Sequence, residues 1–131
     1  MKVREDGLVS LTPAADYTAK RGYLVTHASG VATLSASATV RAKGVIVEPN
    51  RTAAGYASEK VTVALLGATN GTVRMCAGGA ITAGDWVQQD SDGQVLTDAG
   101  SGGRVIVGQA LETGVSGDLI EVAPCSPTPL S

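Results

Sequence analysis

His27 is the only histidine in the chain. A Ser-His-Asp triad would depend wholly on it, and a His-His metal cluster is excluded. It stands just before Ala28-Ser29-Gly30, a turn signal, and reads as an exposed surface side chain. Asp90-Ser91-Asp92-Gly93 matches the opening of a calcium loop. The EF-hand pattern also requires a third ligand and a bidentate Glu at position twelve, where Gln94 and Ser101 stand. That stretch reads as a hairpin turn. "GSGG" at 100–103 lacks the Gly-Lys-Ser/Thr ending of a phosphate loop, and no helical pattern follows it. It reads as a loop between strands. Spacing alone does not exclude an Asp/Glu pair for glycoside hydrolysis. One Trp, three Tyr and no Phe, however, offer little aromatic surface for a sugar. The expectation is a chain that is not an enzyme, with no cofactor and no metal. Cys76 and Cys125 lack metal-ligand spacing and read as reduced, half-buried thiols, with one disulfide as the alternative.

Ten Lys and Arg against twelve Asp and Glu give a net charge of −2, with no run of like charge. Nucleic-acid binding needs clustered basic residues, so it is not expected. No stretch approaches the roughly 18 apolar residues of a membrane span, and Met1-Lys2-Val3-Arg4-Glu5-Asp6 has no apolar signal core. Neither a membrane partner nor export is expected, and synthesis and folding in a cytoplasm are.

The elements that must carry any site are strands. Val and Thr are abundant, 17 glycines punctuate them, and no apolar stripe of helical period and length occurs. The length suits one domain. A strand unit is duplicated within it. Gly22-Tyr23-Leu24-Val25 recurs as Gly84-Asp85-Trp86-Val87, and each is followed by a glycine turn (Ala28-Ser29-Gly30, Ser91-Asp92-Gly93). After each turn comes a strand ending in leucine, Val31–Leu34 and Gln94–Leu96. The hairpins look alike, with type I′ geometry favoured at Asp92-Gly93. Lys43-Gly44-Val45-Ile46-Val47-Glu48 matches Val107-Gly108-Gln109-Ala110-Leu111-Glu112, and 58–64 matches 116–123. Gly44 and Gly108 are therefore expected at equivalent positions. Asp85 and Asp118 are expected to cap the turn before their strands. Trp86, aligned with Leu24 and Leu119, reads first as a structural position, core or semi-buried, with partner contact as the alternative.

The fold class read from this pattern is all-β, a small single-domain β-barrel or β-clip-like fold with an internally duplicated strand unit and an extended N-terminal arm. Residues 1–19 form the arm, 20–124 the β domain with sub-repeats at about 22–64 and 84–123, and 125–131 a proline-rich tail. The arm combines Leu8, Val9 and Leu11 with Pro13 and charges, which suits a segment that orders against a partner's strand edge. A plain first barrel strand is the alternative.

"VTVALLGATNGTVRMCAGGAITAGDWVQQDSDGQVL", followed by "VIVGQALETGVSGDLIEVAP", resembles the capsid cement, or head decoration, proteins of tailed bacteriophages. The likeness spans about residues 20 to 124 and is clearest over 58 to 124. It implies a non-enzymatic protein on the outer surface of the expanded icosahedral head, bracing it against internal DNA pressure. The implied partners are the major capsid protein and the chain itself, as a homotrimer at threefold or quasi-threefold sites. Candidates for those contacts are Arg4, Leu8, Val9, Leu11 and Tyr17 in the arm, Tyr56 in the long connection from Pro49, and Trp86. The rival readings are a tail or fibre module of the virion, a small carbohydrate- or ligand-binding β domain using Trp86 and the tyrosines, and a hydrolase working through His27.

Overall fold

The computed structural model describes residues 7–52, 59–69 and 71–131. Ten strands and no helix occur among them: β1 Leu8–Pro13, β2 Leu24–Ala28, β3 Val31–Leu34, β4 Gly44–Glu48, β5 Val61–Leu65, β6 Val73–Cys76, β7 Trp86–Gln89, β8 Val95–Thr97, β9 Arg104–Ala110 and β10 Leu119–Leu130. Branched side chains favour the pleated surface, and glycines in the left-handed region flank most strands.

The strands form two sheets of five. The first closes into a barrel in the order β1-β3-β2-β4-β5, and the second runs β6-β10-β9-β7-β8. The second curls until Ala77, just past β6, bridges Val95 of β8 in parallel. This repeats the parallel pairing of β1 with β3, in which Pro13 meets Ala32. Strand for strand, the second sheet is the first over again.

The register bears this out. Val25 faces Gly44, and Val87 faces Gly108. Gly44 faces Leu65, and Gly108 faces Pro124. Loop hydrogen bonds recur as well: Gly22 N–H donates to Ile46 C=O at 2.8 Å, as Gly84 N–H does to Ala110 C=O at 2.8 Å. Ser35 N–H donates to Leu24 C=O at 2.9 Å, as Asp98 N–H does to Trp86 C=O at 2.8 Å. Gly44 and Gly108 are thus equivalent, and for one reason. A β-carbon at Gly44 would strike Val63, and one at Gly108 would lie 2.6 Å from both Val122 Cγ1 and the Ala123 carbonyl. Each marks where two strands of its unit approach too closely for a side chain.

Four expectations need correction. Leu8–Pro13 is not part of an arm: it pairs with β5 from Leu8↔Ala64 to Leu11↔Val61 and closes the first barrel. Its apolar residues pack on the cores, Val9 and Leu11 on that of the first barrel and Leu8 on that of the junction. The 125–131 segment is not a tail, because Thr128, Pro129 and Leu130 continue β10 alongside β9 after a register shift. The hairpins differ in kind. Ser29 (φ 52°) and Gly30 (φ 78°) supply the type I′ pair in the first, whereas only Gly93 (φ 80°) is left-handed in the second. The second turn is one residue longer, so Thr33, not Leu34, is the counterpart of Leu96. Finally, Leu119 starts β10 and is not equivalent to Leu24.

Side chains alternate across the strands. Val25, Ile46, Val61 and Val63 fill the first barrel with Tyr17 and Ala32. Their neighbours Leu24, Val45 and Ala64 point outward, and with Ala42 and Leu66 they pack against the second sheet's core of Met75, Val87, Val95, Val107, Ile120 and Val122. One continuous core therefore lies inside the second sheet and along its junction with the first.

Candidate functional site

Of the five contact candidates among the described residues, one presents a large surface. Arg4 and Tyr56 lie outside the described residues. Val9 and Leu11 pack on the first barrel's core, and Leu8 packs on the junction core. Tyr17 is buried: its hydroxyl accepts a hydrogen bond from Leu34 N–H at 3.1 Å, and its own N–H donates to Asn50 Oδ1 at 3.1 Å. Tyr17 is therefore closed to direct contact, whereas Leu8, Val9 and Leu11 are only partly buried. Trp86 is different. It is 51% exposed at the start of β7, against the expectation of a core or semi-buried role.

The reason lies in the duplication. Leu24, its counterpart, is 0% exposed because the second sheet covers it. Leu24 N–H donates to Gly93 C=O at 2.7 Å, and Cys76 N–H donates to Gly22 C=O at 2.9 Å. Among the described residues no further sheet covers Trp86. It lines a shallow, largely apolar depression of about 430 Å³ with Asp98, Ile106, Cys125, Thr128 and Leu130. Leu130 is 41% exposed, so the rim as well as the floor offers apolar surface. The thiol of Cys125 is pushed up by burial, which disfavours the thiolate. Cys76 and Cys125 are both free.

Polar groups border this face. Arg104, 9% exposed, donates through Nε to Asp98 Oδ1 and through Nη1 to Gly102 C=O at 3.0 Å. Gly100 N–H also donates to Asp98 Oδ1 at 3.0 Å. The Arg104 hydrogen bond, then the Gly100 one, hold the Asp98 carboxyl below the usual carboxylate range. "GSGG" is thus the loop folded around this pair. Asp90 organises the other turn, accepting from Asp92 N–H at 2.7 Å and Gln94 N–H at 3.0 Å. Asp85 and Asp118 cap as expected, accepting from Thr82 N–H at 3.0 Å and Val115 N–H at 2.9 Å. His27 is exposed on β2. Among the described residues, no cluster of three His, Cys, Asp or Glu side chains could hold a metal ion.

Sequence reasoning missed Gln89. Fully buried on β7, it reaches across the junction, donating to Ser37 C=O at 2.7 Å and Val40 C=O at 2.6 Å. Its Oε1 accepts from Ala42 N–H at 3.0 Å, and Nε2 lies 3.4 Å from Ser35 Oγ. A shallow hollow of about 230 Å³ also lies at the junction, where Arg21 donates to Val47 C=O at 2.7 Å and Arg74 pairs with Glu121 at 3.0 Å. Its cations are already engaged by the chain itself. No motif marks these residues. Only the fold brings them together.

No family model matches the chain, and no curated protein matches it. Among solved structures, the chain is similar to the N-terminal base of the head fibre protein gp8.5 of bacteriophage phi29. The TM-score is 0.62 at 21% sequence identity, over 95% of this chain and 98% of that one. The likeness runs through both sheets, and it is a likeness of fold.

Proposed function

We propose that this chain is a structural protein of a tailed-bacteriophage virion that decorates the outer surface of the head. The observation carrying this reading is that the whole chain, with little left over, shares the fold of a phage head fibre base. The motif order over residues 58 to 124 supports it independently. The protein works by binding, without catalysis. A body of two closed or curled sheets is stiff and needs no pocket, and many modest contacts on a shell add up through multivalency. Its partners are the major capsid protein and further copies of itself, as a trimer at threefold or quasi-threefold positions. The fold likeness favours a second reading: the chain is the base on which a fibre stands.

Imaging purified particles made with and without the protein tests both. Decoration predicts compact density on the shell that disappears with the protein, together with heads that lose DNA at lower temperature. A fibre base predicts density that continues outward into a shaft. Particles identical in both respects would overturn the virion reading.

A further inference from the structure

The outward row of the first barrel and its counterpart on the second sheet have opposite fates. Leu24, Val45, Ala64 and Leu66 are 0%, 0%, 0% and 8% exposed beneath the second sheet. Their counterparts are Trp86, Gln109, Ala123 and Cys125, none of them fully buried. Ser35, against which Gln89 packs, corresponds to Asp98. The apolar depression at Trp86 is therefore the same docking face, one repeat further on. In the first barrel its occupant is a five-stranded unit of this same chain.

We propose that the Trp86 face docks a second copy of this chain, head to tail, with the first barrel of the next copy seated as the second sheet is seated on the first. The next copy brings the matching elements. Its β2–β3 hairpin, tipped by Ser29-Gly30, stands where the Ser91–Gly93 turn stands, and open space surrounds Gly30. His27 occupies the position of Gln89, so His27 of the next copy faces Asp98 as Gln89 faces Ser35. A ring nitrogen donor thus meets a carboxylate already held in its charged form by Arg104. Gln109 in place of Val45, its Nε2 donating to Gly84 C=O at 3.0 Å, and Thr128 beside Ile106 keep the face soluble in the free chain. Trp86 and Leu130 supply its exposed apolar surface. A heterologous contact of this kind closes into a ring or runs on as a filament, and a ring of three satisfies every face. The inference does not rest on the virion reading.

Sedimentation of the full chain over a concentration series tests it. The wild type is expected to associate as concentration rises, with the emission of Trp86, the single tryptophan, shifting to the blue. Trp86→Glu and His27→Glu should each weaken association at least tenfold while retaining the wild-type circular dichroism and melting profile, since both side chains face water. Mixed together, the two variants should form a dimer that neither forms alone, because each keeps the half of the contact that the other lacks. A wild type that stays monomeric at its highest soluble concentration would overturn the proposal. So would a Trp86→Glu chain that associates normally, an emission that does not move on association, or a mixture that stays monomeric.

Discussion

The two halves of this protein use one strand plan in two surroundings. In the first half, both faces of β2, β4 and β5 are buried, one inside the barrel and one under the second sheet. In the second half the inward face is buried, while the outward face is partly open at Trp86, Gln109, Ala123 and Cys125. The outward row accordingly changes from Leu24, Val45, Ala64 and Leu66 to Trp86, Gln109, Ala123 and Cys125. The inward rows stay largely apolar in both, because each must fill its own sheet, with the buried Gln89 at the junction end of β7 the exception. A position's chemistry is therefore set less by its place in the repeat than by what the next unit covers. Trp86 is the exception, apolar where its neighbours have become polar or small.

The sharpest way to break this comparison is truncation at the paired positions. Leu24→Ala removes a fully buried side chain from the junction, and such cavities cost about 2–5 kcal/mol. Trp86→Ala, in the monomer, should cost under about 1 kcal/mol, since half of the ring already faces solvent. Urea unfolding of the two variants checks this, and equal losses would mean that the junction does not distinguish the two rows. Gln89→Leu comes next. It leaves the Ser37 and Val40 carbonyls and the Ala42 N–H without their partner inside the junction. Each orphaned group costs about 1–3 kcal/mol, partly offset where water reaches it, so a net loss of about 3 kcal/mol is expected. Amide exchange should rise first at Ala42 and then across the loop from Ser35. Exchange unchanged there would show that the tether is dispensable.

Much of the comparison was legible beforehand. Alternating Val and Thr between glycine turns announced strands, and the recurrence of Gly22–Val25 and Gly44–Glu48 announced the duplication. The capping roles of Asp85 and Asp118 followed from the turn chemistry of Gly-Asp. β1 was not legible, because its counterpart, Val73–Ala77, shares no motif with Leu8–Pro13 and both are recognisable only through their parallel pairing. The end of β10 was hidden by its prolines, which lack a ladder donor. Past Val122 the strand pairs with β9 alone, and such an edge tolerates proline. Leu34 and Leu96 matched by eye yet not in register, because one extra turn residue shifts the whole strand to its other face. The exposure of Trp86 was out of reach for a different reason. Alignment shows that a position is apolar in both copies, but not which copy has a neighbour lying over it.

The smallest expected effect concerns the polar edge of the same comparison, Asp98 against Ser35. The Asp98 carboxyl is held below its ordinary range, first by the Arg104 guanidinium and then by Gly100 N–H. A carboxylate with a depressed native pKa stabilises the fold fully above its unfolded value of about 3.9. That contribution fades as pH falls through the native value, where the proton binds and the charged acceptor is lost. Asp98→Asn keeps the shape and an acceptor oxygen but removes the charge facing a nearly buried arginine. It should cost about 1 kcal/mol at pH 7. Glu121, held low by Thr72 and then Arg74, also loses stabilisation in acid, but equally in both chains. The difference between wild type and variant therefore isolates Asp98. It should be constant from pH 7 down to about pH 5 and shrink toward zero below about pH 4. Ser35→Ala, at the counterpart position, has no charge to lose, and its deficit should be flat across the same range. Urea midpoints measured at intervals of pH decide it. A deficit for Asp98→Asn that stays flat to pH 3 would mean that the Arg104 pair adds nothing that depends on charge.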